Sequence, residues 1–226
     1  MGASIIIAAA GSSNRMNGTD KVLLNIEGKE IIAYSLIAFS KAKCTDKIVV
    51  VTTEEKKPHI ENIIKKLALP IEIVVCIGDN TRQKSVVNGL EFCSQKSDCI
   101  MIHDAARPMI TPYYIDLLYD EIKSKKAAAL GVKVKDTIKK IDENGKIIET
   151  PDRNSLFVAQ TPQGFEMQLY KRAVETAIKN GRDYTDDCQL VEAMGESVYM
   201  VECDYRNIKI TTPEDILSAQ NFLKEQ

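Results

Sequence analysis

Five short apolar runs, Ile5–Ala10, Ile48–Thr52, Ile71–Cys76, Cys99–Ile102 and Ala127–Val134, alternate along the chain with stretches of helical periodicity. Nothing else in the sequence narrows the fold as far. Short apolar runs without polar alternation read as strands buried on both faces. Between them, Ile32, Leu36 and Phe39 share one helical face, as do Val86, Leu90 and Cys93, and then Ile115, Leu118 and Ile122. Thr111-Pro112 has the pattern of an N-cap followed by proline at the first helical position, and Thr212-Pro213-Glu214-Asp215 repeats it before a last helix reaching Leu223. The alternation predicts a single Rossmann-like α/β domain over residues 1–226, with a mainly parallel sheet and helices on both faces. In such folds ligands sit at the carboxyl ends of the strands.

Composition removes several function classes. A net charge of −2 gives no basic excess for a nucleic-acid partner or an anionic membrane surface, so any cationic site must be local. No apolar run approaches the roughly 18 residues of a membrane helix. The N-terminus enters a strand with no basic n-region, so no secretory signal is expected. Met1-Gly2 opens like a myristoylation signal, but Ile6 stands where Ser or Thr is required. Cys44, Cys76, Cys93, Cys99, Cys188 and Cys203 form no CxxC or Cys/His cluster, which reads as buried reduced thiols in a cytoplasmic protein.

One segment breaks the rhythm. Residues 135–153 are highly charged, with Asn144-Gly145 in the middle, a strong hairpin signal. A two-residue turn there pairs residues whose numbers sum to 289, so Asp136 faces Arg153 and Thr137 faces Asp152. A lone hairpin is marginal in water, so this protruding β-arm is expected to pack on a partner, most simply a second copy of the chain.

Chemistry-bearing residues gather where the strands should end. The first strand runs into Ala9-Ala10-Gly11-Ser12-Ser13-Asn14-Arg15-Met16, with Lys21 just beyond. Small residues let a ligand lie against the backbone, a Gly-Ser-Ser turn can aim several N–H groups at phosphate oxygens, and Arg15 and Lys21 add two cations. Neither the GxGxxG of dinucleotide folds nor the P-loop spacing is present. By itself the loop fits several nucleotide sites. Gly78-Asp79-Asn80-Thr81-Arg82-Gln83-Lys84-Ser85 follows the third strand and opens a helix, a place for contacts to a base or ribose. His103-Asp104-Ala105-Ala106-Arg107-Pro108 follows the fourth; its aspartate can sit beside a divalent cation and its arginine can grip an anion. Asp152-Arg153, Thr161-Pro162-Gln163 and Asn207-Ile208-Lys209-Ile210-Thr211 add further polar groups. His103 is left out of the chemistry, as a packed or hydrogen-bonded residue.

Taken in order, these clusters, with Asp136-Thr137 and Gln160-Thr161-Pro162-Gln163, resemble those of the 2-C-methyl-D-erythritol 4-phosphate cytidylyltransferases, and the resemblance spans essentially the whole chain. Ser13 departs from it, standing where many relatives carry a second loop glycine, and the Arg15–Lys21 spacing is short. The resemblance implies transfer of CMP from CTP to methylerythritol 4-phosphate, with release of pyrophosphate. It implies Arg15 and Lys21 on the triphosphate and the charge developing at the α-phosphorus, and Arg153 and Lys209 on the second substrate's phosphate. It further implies Arg107, Thr137 and Thr161 as binding groups for that substrate, Ser85 and the loop from Gly78 through Asp79 on the cytidine, and Ala9, Ala10, Gly11 and Ala105 as backbone walls. Mg²⁺ held mainly by phosphates with Asp104 beside it, and a homodimer in which Thr137 and Arg153 serve the neighbour's site, complete the expectation. Ribitol 5-phosphate is the alternative acceptor, against which Ala105-Ala106 tilts the choice. A nicotinamide oxidoreductase is disfavoured by the missing glycines and by Thr52-Thr53 where an acid belongs, and a non-catalytic nucleotide binder has no use for both cation pairs.

Overall fold

The computed structural model describes residues 2–11 and 20–224. Arg15, with the rest of the segment from Ser12 to Thr19, lies outside the described residues.

Seven strands form one sheet: β1 (Ala3–Ala8), β4 (Thr45–Thr52), β5 (Ile73–Ile77), β6 (Cys99–Asp104), β7 (Ala127–Lys133), β10 (Phe157–Glu166) and β11 (Tyr199–Glu202), in the order β11-β7-β10-β6-β1-β4-β5. Every neighbouring pair is parallel except those of β10, which runs antiparallel to both β6 and β7. The five expected strands are all present, with ends shifted by a few residues. The helices are α1 (Ile31–Lys41), α2 (Lys57–Leu67), α3 (Arg82–Leu90), α4 (Pro112–Lys125), α5 (Met167–Lys179), α6 (Asp187–Glu192) and α7 (Pro213–Lys224). Helix α3 stops at Leu90, so Cys93 lies past the face it was expected to share.

Alternation along each strand splits the core into two layers. Ile5, Ile7 and Val50 face α1, α2 and α4 through Ile32, Leu36, Phe39, Ile60, Ile115 and Leu118. Ile6, Val49, Val51 and Ile102 face α3, α5 and α6 through Val86, Tyr170, Ala173 and Val191. Both faces are covered, which is why the strands read as unbroken apolar runs. A two-stranded ribbon, β2 (Asn25–Ile26) and β3 (Lys29–Glu30), leads into α1, and Ile26 and Ile31 pack beneath α7 with Ile210 and Ala219.

The arm is built on β7 and β10, with β8 (Lys140–Ile141) and β9 (Ile147–Glu149) as its paired section. Its turn corrects the expected register. Lys140 pairs with Glu149 as predicted, but Ile141 pairs with Ile147, one residue out of step. A three-residue loop closes the tip: Gly145 N–H donates to the Asp142 carbonyl, and the Asp142 carboxylate accepts from Asn144 and Lys146 N–H. Gly145 adopts φ +81°, the left-handed position such a loop requires. Lower down, Lys133 pairs with Phe157 and Val134 bonds to Leu156, so the base is out of step in the opposite sense. Asp136–Arg153 and Thr137–Asp152 are therefore not ladder pairs; Arg153 Nη1 donates to the Lys135 carbonyl at 3.4 Å.

Candidate functional site

Parallel registry sets the site's location. Ala8 at the end of β1 lies opposite Asp104 at the end of β6, and the next strand out, β4, ends at Thr52. The chain just beyond β1, the start of α3 and the loop after β6 thus converge at the carboxyl ends of the central strands. There a cavity of about 500 Å³ is lined by Ala8, Ala9, Ala10, Gly11, Lys21, Val22, Asp79, Asn80, Thr81, Arg82, Ser85, Asp104, Ala106 and Lys209. Eight residues expected at the site from sequence meet here: Ala9, Ala10, Gly11, Lys21, Asp79, Ser85, Asp104 and Lys209.

The loop after β5 is shaped by Ser85, whose hydroxyl donates to the Asp79 carbonyl at 3.0 Å and accepts from the Asp79 N–H at 2.9 Å. Gly78 is required for that close approach: a Cβ there would stand 2.7 Å from Ser85 Oγ and 2.9 Å from Ala10 Cβ. Thr81 caps α3 by accepting from Lys84 N–H at 3.2 Å. The cap points the amino end of α3 at the cavity, where its backbone dipole favours an anion.

Asp104 is the electrostatic centre. Lys209 Nζ lies 2.8 Å from its carboxylate, Arg82 Nε 3.7 Å and Arg107 Nε 3.9 Å. Burial alone would raise its pKa; the charges of Lys209 and Arg82 outweigh this and hold it down at about 2. Arg107 does not line the cavity. It is partly buried beside Asp104, and its Nη1 donates to the Asn207 carbonyl at 2.8 Å. Asn207 in turn donates to Gln160 Oε1 and the Thr161 carbonyl, both at 3.0 Å, and so docks the Lys209 segment onto β10.

Thr161 lies beneath Asp104, accepting its N–H at 3.0 Å. His103 occupies the same layer. Its Nε2 is 3.1 Å from the Arg107 carbonyl, which can only accept, so that nitrogen carries the proton and Nδ1 accepts from Thr161 Oγ1 at 3.2 Å. Full burial lowers the His103 pKa to about 4 and keeps the ring neutral. It braces two loops and is turned away from chemistry, as expected from sequence. Ala105 is fully buried and supports this layer from below.

Arg82 and its partners went unrecognised in the sequence. Its Nη1 lies 2.6 Å from Asp187 Oδ2, and Tyr170 O–H donates to Asp187 Oδ1 at 2.6 Å. Asp187 and Tyr170 are fully buried, while Arg82 reaches the cavity. Burial would weaken the Arg82 charge, but Asp187 and Asp104 raise its pKa above the ordinary arginine value. Gln163 accepts from Asp187 and Cys188 N–H and fixes the start of α6. The Arg82–Asp187 pair joins residues about a hundred positions apart, and no local pattern announces it.

Thr137 and Arg153 are not brought to this cavity. Both lie exposed on the arm. Among the described residues no cluster of three or more His, Cys, Asp or Glu side chains forms a metal cage. All six cysteines are free, and burial raises the thiol pKa of each. Among the described residues the cavity therefore offers cations, backbone donors and two aspartates, Asp79 and Asp104, with no cysteine or histidine in its lining. Such an arrangement can hold two anions together and neutralise charge that develops between them.

Comparison with known proteins gives a consistent result. The family model of IspD, 2-C-methyl-D-erythritol 4-phosphate cytidylyltransferase, matches residues 3–225. A protein of that name from Caldanaerobacter subterraneus subsp. tengcongensis is 43% identical over 230 residues, covering 100% of both chains. One from Clostridioides difficile is 44% identical over 97% of this chain and 93% of its own. Among solved structures, the 4-diphosphocytidyl-2C-methyl-D-erythritol synthase of Anaerococcus prevotii superposes with a TM-score of 0.89 at 31% identity, covering 99% of this chain and 96% of that one. No helix among the described residues is long and apolar enough to cross a membrane.

Proposed function

The chain belongs to the 2-C-methyl-D-erythritol 4-phosphate cytidylyltransferase family, and on that premise we propose that it transfers CMP from CTP to 2-C-methyl-D-erythritol 4-phosphate, releasing pyrophosphate. The observation that carries this mechanism is the cationic cluster around Asp104 beside a cavity walled by Ala9, Ala10 and Gly11.

The acceptor's phosphate monoester has a second pKa near 6, so at neutral pH its oxygen is already an anionic nucleophile. That oxygen forms a new bond to the α-phosphorus of CTP while the bond to the bridging β-phosphate oxygen breaks, and the electron pair leaves with pyrophosphate. No proton need be removed, consistent with a cavity whose described lining contains no histidine or cysteine. What the protein must supply is alignment and charge neutralisation. We assign Arg15 and Lys21 to the triphosphate and the charge at the α-phosphorus, and Lys209 to the acceptor phosphate, poised by its ion pair with Asp104. Ser85 and the Gly78–Asp79 turn face the cytidine, and Arg107 and Thr161 keep Lys209 and Asp104 in place. Arg82 adds a cation next to Asp104.

The two carboxylates that line the cavity, Asp79 and Asp104, are a poor cage by themselves, but they suit Mg²⁺ held mainly by phosphate oxygens and water, with Asp104 beside it. Bound there, the ion would neutralise triphosphate charge.

We further infer a homodimer through the arm. Ile138, Ile141, Ile147 and Ile148 are 42–55% exposed on it, an apolar surface that one copy leaves uncovered. Thr137 and Arg153 would then complete the partner's site. Free cysteines fit a reducing cytoplasm.

The deciding experiment is pyrophosphate release with CTP, ATP, GTP or UTP against methylerythritol 4-phosphate and ribitol 5-phosphate. Turnover confined to CTP with the first acceptor is expected. Preference for ribitol 5-phosphate would overturn the acceptor assignment, and preference for another nucleotide would overturn the base assignment. For the shared site, Arg153→Ala and Lys21→Ala should each be inactive yet regain activity when mixed. No recovery after verified subunit exchange sinks it.

A further inference from the structure

Lys56 does not line the cavity, yet its side chain ends among the backbone groups that do. It precedes α2, its side chain is only 12% exposed, and its ammonium meets three acceptors. These are the Ala9 carbonyl at 3.3 Å, the Gly11 carbonyl at 3.0 Å and Asp20 Oδ2 at 2.6 Å. An ammonium has three N–H donors, so its capacity is filled. Two acceptors belong to the stem before residues 12–19 and the third to the stem after them.

We propose that Lys56 is a positioning residue for the triphosphate side of the site; the proposal rests on the CTP reading given above. The reason lies in peptide geometry. A carbonyl oxygen repels a phosphate, whereas the N–H on the other side of the same planar trans peptide attracts it. Lys56 approaches Ala9 and Gly11 from outside the cavity and draws both carbonyls towards itself. The Ala10 N–H, anti to the Ala9 carbonyl, is thereby turned to the opposite side, where Ala10 and Gly11 form the cavity wall. Asp20 neutralises the lysine, so Lys56 acts by orienting the backbone and adds no net charge to the cavity. The other oxygen of Asp20 accepts Val22 N–H at 3.0 Å. Lys21, between these two anchored residues, lines the cavity. One ammonium thus sets the backbone on both sides of the triphosphate reading: the alanine wall and the root of Lys21.

The test compares Lys56→Met, Lys56→Arg and Asp20→Asn in the full-length protein by steady-state kinetics and, without nucleotide, by amide exchange at Ala10 and Gly11. Lys56→Met should raise the KM for CTP about tenfold or more while the KM for the acceptor stays within about twofold. Lys56→Arg, which keeps cationic donors, should fall between it and wild type. Exchange at Ala10 and Gly11 should quicken most in Lys56→Met and least in Lys56→Arg. A folded Lys56→Met with an unchanged KM for CTP and unchanged exchange overturns the proposal, as does an equal rise in both KM values. Should Lys56→Met fail to fold, Asp20→Asn is judged by the same criteria. A wild-type enzyme that does not turn over CTP overturns the CTP reading instead, and the exchange result still decides whether Lys56 holds this backbone.

Discussion

The cluster around Asp104 and the arm both carry cations expected to grip the acceptor phosphate, yet they are held in opposite ways. Lys209 is pinned to a carboxylate of pKa about 2, and the backbone of that aspartate is held by Thr161, which bonds to His103, which in turn bonds to the Arg107 carbonyl. Arg153 is exposed and makes one long bond to the Lys135 carbonyl. Within one chain the first cation is fixed before any substrate arrives, whereas the second has no comparable support. Ion pairs in a buried network keep their geometry, but exposed ones contribute little. In the proposed dimer the arm's residues would be ordered by what the arm packs against, and its exposed isoleucines would supply that contact surface.

The sharpest way to break the comparison is at Lys209. Lys209→Ala should lower kcat/KM by about a thousandfold, because it removes a preorganised cation from the transition state. Its thermal midpoint should change little, since Arg82 and Arg107 still neutralise Asp104. A loss below about tenfold would remove Lys209 from the chemistry.

The buried half should also answer to pH in a way the arm cannot. His103 has a pKa of about 4 when folded against 6.5 for an ordinary histidine, so between these values the unfolded chain binds the extra proton. Stability therefore rises with pH through this window, and lowering the pH from 6.5 to 4 should cost about 3 kcal/mol. Asp104 acts in a separate window: its depressed pKa adds stability above the usual carboxylate value, and this is lost as pH falls towards 2. Urea titrations of substrate-free, metal-free protein would measure both. In His103→Asn the slope between pH 6.5 and 4 should flatten; an unchanged slope would assign it to other groups.

On the arm, Arg153→Ala should reduce kcat/KM by about a hundredfold with no measurable change in stability, since exposed side chains outside networks contribute little to folding. A matching fall in thermal midpoint would mean that Arg153 supports the arm itself.

The two halves also differ in how far they can be read from sequence. The parallel frame was legible because strands buried on both faces leave unbroken apolar runs such as Ile5–Ile7 and Ile48–Val51, and the strand-end loops carrying Asp104 and Ser85 followed from it. β10 was not legible. Gln160, Thr161 and Gln163 are polar and flank a proline, so the segment resembles a loop. In the fold those side chains are buried because Asn207, His103 and the start of α6 satisfy them, and Pro162 sits where the ladder with β7 is interrupted. Asp187 and Tyr170 were hidden for the same reason: their meaning comes from Arg82, far away in sequence. The arm's existence was legible from Asn144-Gly145. Its register was not, because the Asp142 side chain captures the turn and selects a longer loop.

That loop gives the smallest and most selective probe. Gly145 has φ +81°, and a Cβ added there meets nothing within 4 Å. Gly145→Ala thus tests backbone strain alone, costing about 1 kcal/mol. Because the tip contacts none of the core, the cost should appear as faster amide exchange in β8 and β9, with the global midpoint unmoved. If the ordered arms join two copies, each contributes this strain and the dimer should weaken by about thirtyfold. A strained tip with unchanged dimer affinity would confine the interface to the arm's base, near Val158, which is 53% exposed. A drop in the global midpoint would instead show that arm and core unfold together, and the contrast between them would be smaller than their contacts suggest.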